Sequence, residues 1–226
     1  MDYAEAVEKA PPGWRHFSMV DIARLPEDVR NHELARVPPH EPDESVLRAL
    51  FWTLVYHLEP EMWDELARAE PIHPAMLAAL PGGAATAIDV GAGSGRLTGY
   101  LAELCPEVTA VEPSAGLRAI LTSRLPKVEA IDAWAEALPI EDGWSELTAV
   151  CGAFGPDPQI LEELERVTRQ GGHVALISPE QPEWFESNGW RRISAPSIAP
   201  LPHAHWIDEF FGPLDPPHEM VLIRVG

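Results

Sequence analysis

Basic residues are scarce in this chain: 16 Lys and Arg stand against 36 Asp and Glu, a formal net charge of −20 with an isoelectric point near 4.7. Such a surface repels phosphate backbones, so a nucleic-acid partner would need a local basic patch. The adjacent basic pair Arg191-Arg192, at the start of a predicted strand, reads as a solvated surface feature, and no nucleic-acid partner is expected. Cysteine is also scarce, with Cys105 and Cys151 the whole complement and no metal-ligand spacing around either. That excludes a disulfide framework and points to a reduced, cytoplasmic protein. Long hydrophobic runs are missing: no apolar stretch approaches the roughly 20 residues that a membrane-spanning helix needs. Met1-Asp2-Tyr3-Ala4-Glu5 lacks the basic start and apolar core of a secretory signal, so neither membrane insertion nor export is expected. The length, 226 residues, allows one α/β domain with a full core and a small accessory segment, not two large domains.

What the chain does contain is an alternation. β-rich apolar runs at 85–90, 108–112, 128–132, 147–151 and 173–178 predict strands, with helices at 95–104, 115–124 and 159–170 among them. Two further strands at 190–195 and 219–225 follow, the last antiparallel, which makes an α/β protein with a doubly wound, mostly parallel, seven-stranded sheet. The helix over 159–170 is expected to close in a basic last turn and a glycine stop, Arg169-Gln170-Gly171-Gly172. Before the first strand the pattern is helical, with Val46, Leu47, Leu50, Phe51, Leu54, Val55 and Leu58 at helical spacing and a second helix over 60–69. The expected division is a helical segment over 1–80 and an α/β domain over 81–226.

The most informative stretch is Ala87-Ile88-Asp89-Val90-Gly91-Ala92-Gly93-Ser94-Gly95-Arg96-Leu97-Thr98, where a strand ends in an acid and alternating glycines open a helix. Gly91, Gly93 and Gly95 clear side chains from a ligand's path and tolerate the positive φ of a sharp strand-to-helix turn. A dinucleotide fingerprint wants glycine at the first, third and sixth positions, but the sixth is Arg96, whose bulk is expected to intrude between helix and sheet. Nicotinamide binding loses ground accordingly. Glu112, at the predicted carboxyl end of the next parallel strand, can accept hydrogen bonds from both hydroxyls of a ribose, so an adenosine-type ligand is expected.

This pattern resembles motif I of the class I S-adenosylmethionine-dependent methyltransferases. The resemblance implies a Rossmann-like fold and S-adenosyl-L-methionine as cofactor. Asp89, Gly91, Ala92, Gly93, Ser94 and Gly95 would hold its methionine part, and Glu112 with Pro113 its ribose. Val128 to Pro139 is similar to the family's adenine-binding loop: aligned on Ala135-Glu136-Ala137-Leu138-Pro139 it selects Trp134, aligned on the strand end it selects Asp132, with Ala133 between them. Cys151 and Gly152 would lie beside the methionine end. In this family the segment before the first strand often covers the active site and helps to choose the substrate. Trp14, His16, Phe17, Trp52, Tyr56, His57 and Trp63 are then lining candidates, against the plainer reading that they pack a core.

The resemblance weakens at the fourth strand. Leu147-Thr148-Ala149-Val150-Cys151-Gly152-Ala153-Phe154-Gly155 has no histidine after Phe154 and no Asn-Pro-Pro-Tyr-like element, which disfavours an adenine or glutamine amino group as acceptor. A small-molecule methyl acceptor, methylated on oxygen, nitrogen or carbon, is the reading that remains. Candidates for a general base are His57, His203 and His205; His203 and His205 with Asp208 lack a third-ligand motif, so no metal is expected. A noncatalytic cofactor-binding scaffold and a nicotinamide-dependent reductase stay as alternatives, and the oligomeric state is open.

Overall fold

In a computed structural model of the chain, residues 12–35, 44–214 and 217–226 are described. Successive residues of the central strands alternate between two apolar cores. Ala87, Leu147, Ala149, Ala175 and Ile177 face one core, while Ile88, Val90, Val150, Val174 and Leu176 face the other. A sheet covered on both sides needs apolar residues at every position, which is why its strands read as continuous hydrophobic runs.

The strands are β1 (Thr86–Val90), β2 (Glu107–Val111), β3 (Glu129–Ile131), β4 (Ser145–Cys151), β5 (Thr168–Ile177), β6 (Arg191–Ser194) and β7 (Met220–Val225). They lie in the order β3-β2-β1-β4-β5-β7-β6, with β1 to β5 parallel and β7 antiparallel to both β5 and β6. The expected sheet is therefore present. Strand order reverses between β1 and β4, and in open parallel sheets ligands bind outside the carboxyl ends of the strands at such a switch point.

Five short or medium helices belong with the sheet: α4 (Pro74–Ala79), α5 (Arg96–Leu104), α6 (Ala115–Arg124), α7 (Pro158–Val167) and α8 (Pro182–Ser187). Met76 of α4 and Leu97 and Leu101 of α5 pack on one face; Ile160, Leu164 and Val167 of α7 and Phe185 of α8 pack on the other. α7 starts earlier than expected, because Asp157 caps it by accepting from the backbone of Gln159 and Ile160 at 2.8 and 3.0 Å. It also ends earlier. Thr168 to Gly172 are strand, not a helix end with a glycine stop: Thr168 pairs with Ser145, and Gly171 and Gly172 bond to Gly226 at 3.0 and 2.9 Å. A β-branched residue offered a neighbouring strand has outweighed the local stop signal.

Residues 70–199 and 217–226 make up this sheet unit, and residues 12–35, 44–69 and 200–214 form a second, helical unit. The latter holds α1 (Glu27–Asn31), α2 (Glu44–Leu58), α3 (Pro60–Ala69), α9 (His205–Phe211) and short 3-10 turns such as Pro12–His16. Its aromatic residues face one another. Trp52 stacks on Phe211 at 5.6 Å and on Tyr56 at 5.9 Å, Trp63 meets Tyr56 edge-on at 4.8 Å, and Trp14 stacks on Phe51 at 5.4 Å. Rings engaged this way are packing a core, which is the plainer of the two expectations for them. No helix among the described residues is long and apolar enough to cross a membrane.

Candidate functional site

The last residues of β1 bring a carboxylate into the interior. Asp89, 1 % exposed, pairs in register with Ala110 and Ala149 and points to the face covered by α5. There Thr98 Oγ1 donates to its Oδ2 at 2.6 Å, while Oδ1 is buried with no partner among the described residues. Burial pushes the carboxyl up to about 6, against the pull of Thr98 and the nearby Arg96 charge. Replacing Thr98 with the isosteric valine removes the hydroxyl and leaves the carboxylate only the backbone of residue 98 as a donor; the expected result is a further rise of that pKa and a loss of about 1–3 kcal/mol, measurable by urea denaturation.

The turn after β1 has φ of +70°, +57° and +96° at Gly91, Gly93 and Gly95, the left-handed region expected there. A Cβ on Gly91 would lie 3.1 Å from Ala153 Cβ and 3.4 Å from the Phe154 ring, so the loop after β4 closes directly onto the turn. The turn's donors are mostly consumed by the protein: Gly91 and Ala92 N–H bond to Val111 O at 2.9 and 3.0 Å, and Gly95 N–H to Ala92 O at 3.0 Å. What the glycines offer a ligand is a bare surface rather than a row of free donors.

The fourth donor, Gly93 N–H, bonds at 2.9 Å to Glu112 Oε2, and Ser114 N–H bonds at 2.8 Å to Glu112 Oε1. Glu112, the residue after β2, is 6 % exposed, and burial pushes its carboxyl up to about 7. Each oxygen keeps a lone pair beyond these bonds. Pro113 follows it in the loop that leads to α6.

Asp132, Ala133 and Trp134 lie in the loop after β3, at the same edge of the sheet. Ala133 packs onto the core below and Trp134 is half-buried, whereas Asp132 is exposed and paired with Arg118 at 2.6 Å. Arg118 of α6 also donates to Glu112 O at 2.6 Å, so one side chain ties the loops after β2 and β3 together. Farther along, Glu163 and Arg166 of α7 bind Leu138 N and O at 2.7 and 2.8 Å and so hold the loop's far end.

Cys151 ends β4 and Gly152 follows with φ +63°. The Cys151 thiol is pushed up to about 11 by burial. Arg96 does not wedge between helix and sheet as its bulk suggested. From the first position of α5 it runs across the strand ends, donating to Glu70 O at 2.6 Å and lying 3.6 Å from Cys151 Sγ. Beside it is His218, held where the segment before β7 pairs with Pro71 to His73, its imidazole pushed down to about 3 by burial and by the Arg96 charge.

The three candidate bases lie in the helical unit. His57 sits on α2. His203 has Nδ1 at 2.7 Å from Leu201 O and Nε2 at 2.9 Å from Asp208 Oδ1, so both ring nitrogens face oxygens of the protein. His205, with 82 % of its side chain exposed, lies 3.5 Å from Glu209 and 4.0 Å from Asp208. Thr98, Arg118 and His218 escaped the sequence analysis. Thr98 and Arg118 carried one available signal, a polar residue in the first turns of a helix that leaves a ligand-facing loop.

Residues 88–176 match the family described as "Methyltransferase domain". That part of the chain is thus similar to a methyltransferase domain on a Rossmann-like sheet, and the cofactor such a domain implies is S-adenosyl-L-methionine. Over 115 residues the chain is 34 % identical to an uncharacterized methyltransferase of Mycobacterium tuberculosis, covering 50 % of this chain and 46 % of that protein. Over 145 residues it is 34 % identical to a trans-aconitate 2-methyltransferase of Azoarcus sp., covering 58 % and 56 %. The chain thus spans about half the length of the curated relatives it matches. A SAM-dependent methyltransferase from Aquifex aeolicus shares the fold at a TM-score of 0.50 and 18 % identity, over 73 % of this chain and 95 % of that one. The site fits the cofactor: Asp89 Oδ1 is a buried acceptor awaiting a donor such as the ammonium of a methionine moiety, and Glu112 keeps lone pairs for vicinal hydroxyls.

Proposed function

We propose that this chain transfers the methyl group of S-adenosyl-L-methionine to an oxygen, nitrogen or carbon atom of a small-molecule acceptor. The observation that carries the reading is the pair of buried carboxylates at the tips of neighbouring parallel strands, Asp89 and Glu112, joined through the glycine turn by the Gly93 N–H. The cofactor supplies a methyl carbon activated by the sulfonium charge. The protein's part is to align it with the acceptor and to keep water away, and for an in-line displacement alignment alone supplies much of the acceleration. In this reading Asp89 and Glu112 complement a cation and a ribose, and Asp132 and Trp134 are assigned to an adenine by an amine contact and a ring face.

The Azoarcus relative, named for methylating trans-aconitate, supports a small organic acceptor. A strongly acidic chain without a basic patch supports the same choice over nucleic acid. With both cysteines free, we place the protein in the reducing cytoplasm. Incubation with methyl-labelled S-adenosylmethionine and a metabolite extract is expected to yield S-adenosylhomocysteine and a labelled small molecule. Cofactor binding without any transfer would favour a scaffold of the same fold, and calorimetric binding of NADH with no heat from S-adenosylhomocysteine would favour a reductase.

A further inference from the structure

Acids are abundant enough here that arginines in the sheet unit find them readily: Arg118 pairs with Asp132, Arg166 with Asp142 and Arg169 with Glu146, at 2.6 to 2.7 Å. Arg96 is different. It stands at the carboxyl edge of the sheet, half-buried, and its guanidinium ends on two uncharged acceptors, Glu70 O at 2.6 Å and Cys151 Sγ at 3.6 Å, with no ion pair among the described residues. A carbonyl and a protonated thiol solvate a cation without neutralising it, and the Asp89 carboxyl, near enough to feel its charge, makes no ion pair with it. A guanidinium has five N–H donors, and these two contacts leave several unused.

Next to it is a second unfilled group. His218 Nε2 is buried and has no partner among the described residues. Its ring is fixed by backbone pairing on both sides, His218 N to Pro71 O at 3.1 Å and His73 N to His218 O at 3.0 Å. Gly152 separates the two side chains. A Cβ there would come within 3.3 Å of His218 Cε1 and 3.8 Å of Arg96 Nη2, so its bare Cα keeps the space between them open. Burial and the Arg96 charge hold the imidazole neutral near pH 7, so it can serve as a hydrogen-bond donor through Nε2–H without adding a second positive charge.

A planar anion suits a forked cation flanked by one neutral donor. We propose that Arg96 and His218, across Gly152, form a carboxylate-binding subsite at the end of β4, taking either the carboxylate of the cofactor's methionine end or that of an acidic methyl acceptor. The subsite rests on the methyltransferase reading above, because Asp89 and the switch point lie immediately beside it. Arg96 is thereby a binding and specificity residue; the general base, where an acceptor needs one, is a separate group.

The test compares the wild-type chain with Arg96→Gln and Arg96→Lys, using S-adenosylhomocysteine, 5′-methylthioadenosine, which lacks the amino-acid part, and succinate added to the S-adenosylhomocysteine complex, all by calorimetry. If the cofactor's carboxylate is the ligand, Arg96→Gln weakens S-adenosylhomocysteine roughly ten- to hundredfold while methylthioadenosine binding stays within about twofold, and Arg96→Lys recovers part of the loss. If the acceptor's carboxylate is the ligand, S-adenosylhomocysteine binds as before and the succinate heat disappears. Unchanged behaviour toward both probes overturns the subsite. Retained methylthioadenosine binding shows that the variant is folded, and failure of the wild-type chain to bind methylthioadenosine overturns the adenosyl site itself, a result separate from the first.

Discussion

Replacing Glu112 with alanine is expected to cut S-adenosylhomocysteine affinity by at least roughly a hundredfold, the largest effect available from a single side chain here. Two contributions add. The variant loses the acceptor proposed for the ribose hydroxyls, and it strands Gly93 N–H and Ser114 N–H, whose present bonds to the carboxylate are 2.9 and 2.8 Å long. Each stranded buried donor costs about 1–3 kcal/mol, so the turn itself loosens. Glu112→Gln separates the charge from the shape, and pH supplies the readout. Glu112 titrates near 7 when folded, against its ordinary 4.5, so the folded chain holds the proton more tightly than the unfolded one. Its contribution to stability is accordingly full below pH 4.5 and is lost as pH rises to 7. Cofactor binding runs the other way: hydroxyls donating to the carboxylate favour its ionised form, so affinity should rise as pH passes through 7 with release of a proton. Asp89, near 6, adds a second step at lower pH. In Glu112→Gln the upper step vanishes; a pH profile identical to the wild type would rule out Glu112 as the cofactor's acceptor.

Gly93→Val is expected to rank second. At φ +57° a β-branched residue is strongly disfavoured, at a cost of about 1–3 kcal/mol, which for a chain of this size lowers the melting temperature by roughly 3–10 °C. The same substitution displaces the N–H held by Glu112 and puts methyl groups on the surface that the glycines keep bare. Affinity for S-adenosylhomocysteine should fall more than about tenfold, and Gly93→Ala should fall between. A Gly93→Val chain that melts lower yet binds as tightly as the wild type would show that the turn shapes the fold but does not cradle the cofactor.

The sheet could be read from the sequence because its central strands are buried on both faces, and that leaves uninterrupted apolar runs in the primary structure. The acids at the strand tips were legible for a related reason: a carboxylate at the end of such a run is costly to bury, so Asp89 and Glu112 stand out as exceptions. Readings failed where the deciding partner is distant in sequence. Arg169-Gln170-Gly171-Gly172 carries a local helix stop, but Ser145 and Gly226 offer backbone pairing that makes it strand. Arg96 was judged by its bulk, whereas its direction is set by Glu70 O, 26 residues before it, and by Cys151, 55 after. His218 sits next to Gly152 only because the chain before β7 pairs with Pro71 to His73, a contact no local pattern announces. Likewise nothing in the run 200–214 signals that it rejoins helices more than a hundred residues upstream.

Arg118 reaches from the Glu112 carbonyl to the Asp132 carboxylate, so the two loops that it bridges cannot drift apart independently. On the proposed reading, a nucleoside arriving there would meet a ruler of fixed length: one whose glycosidic bond sets base and sugar at a different angle would fail at both ends together, instead of lingering half-seated.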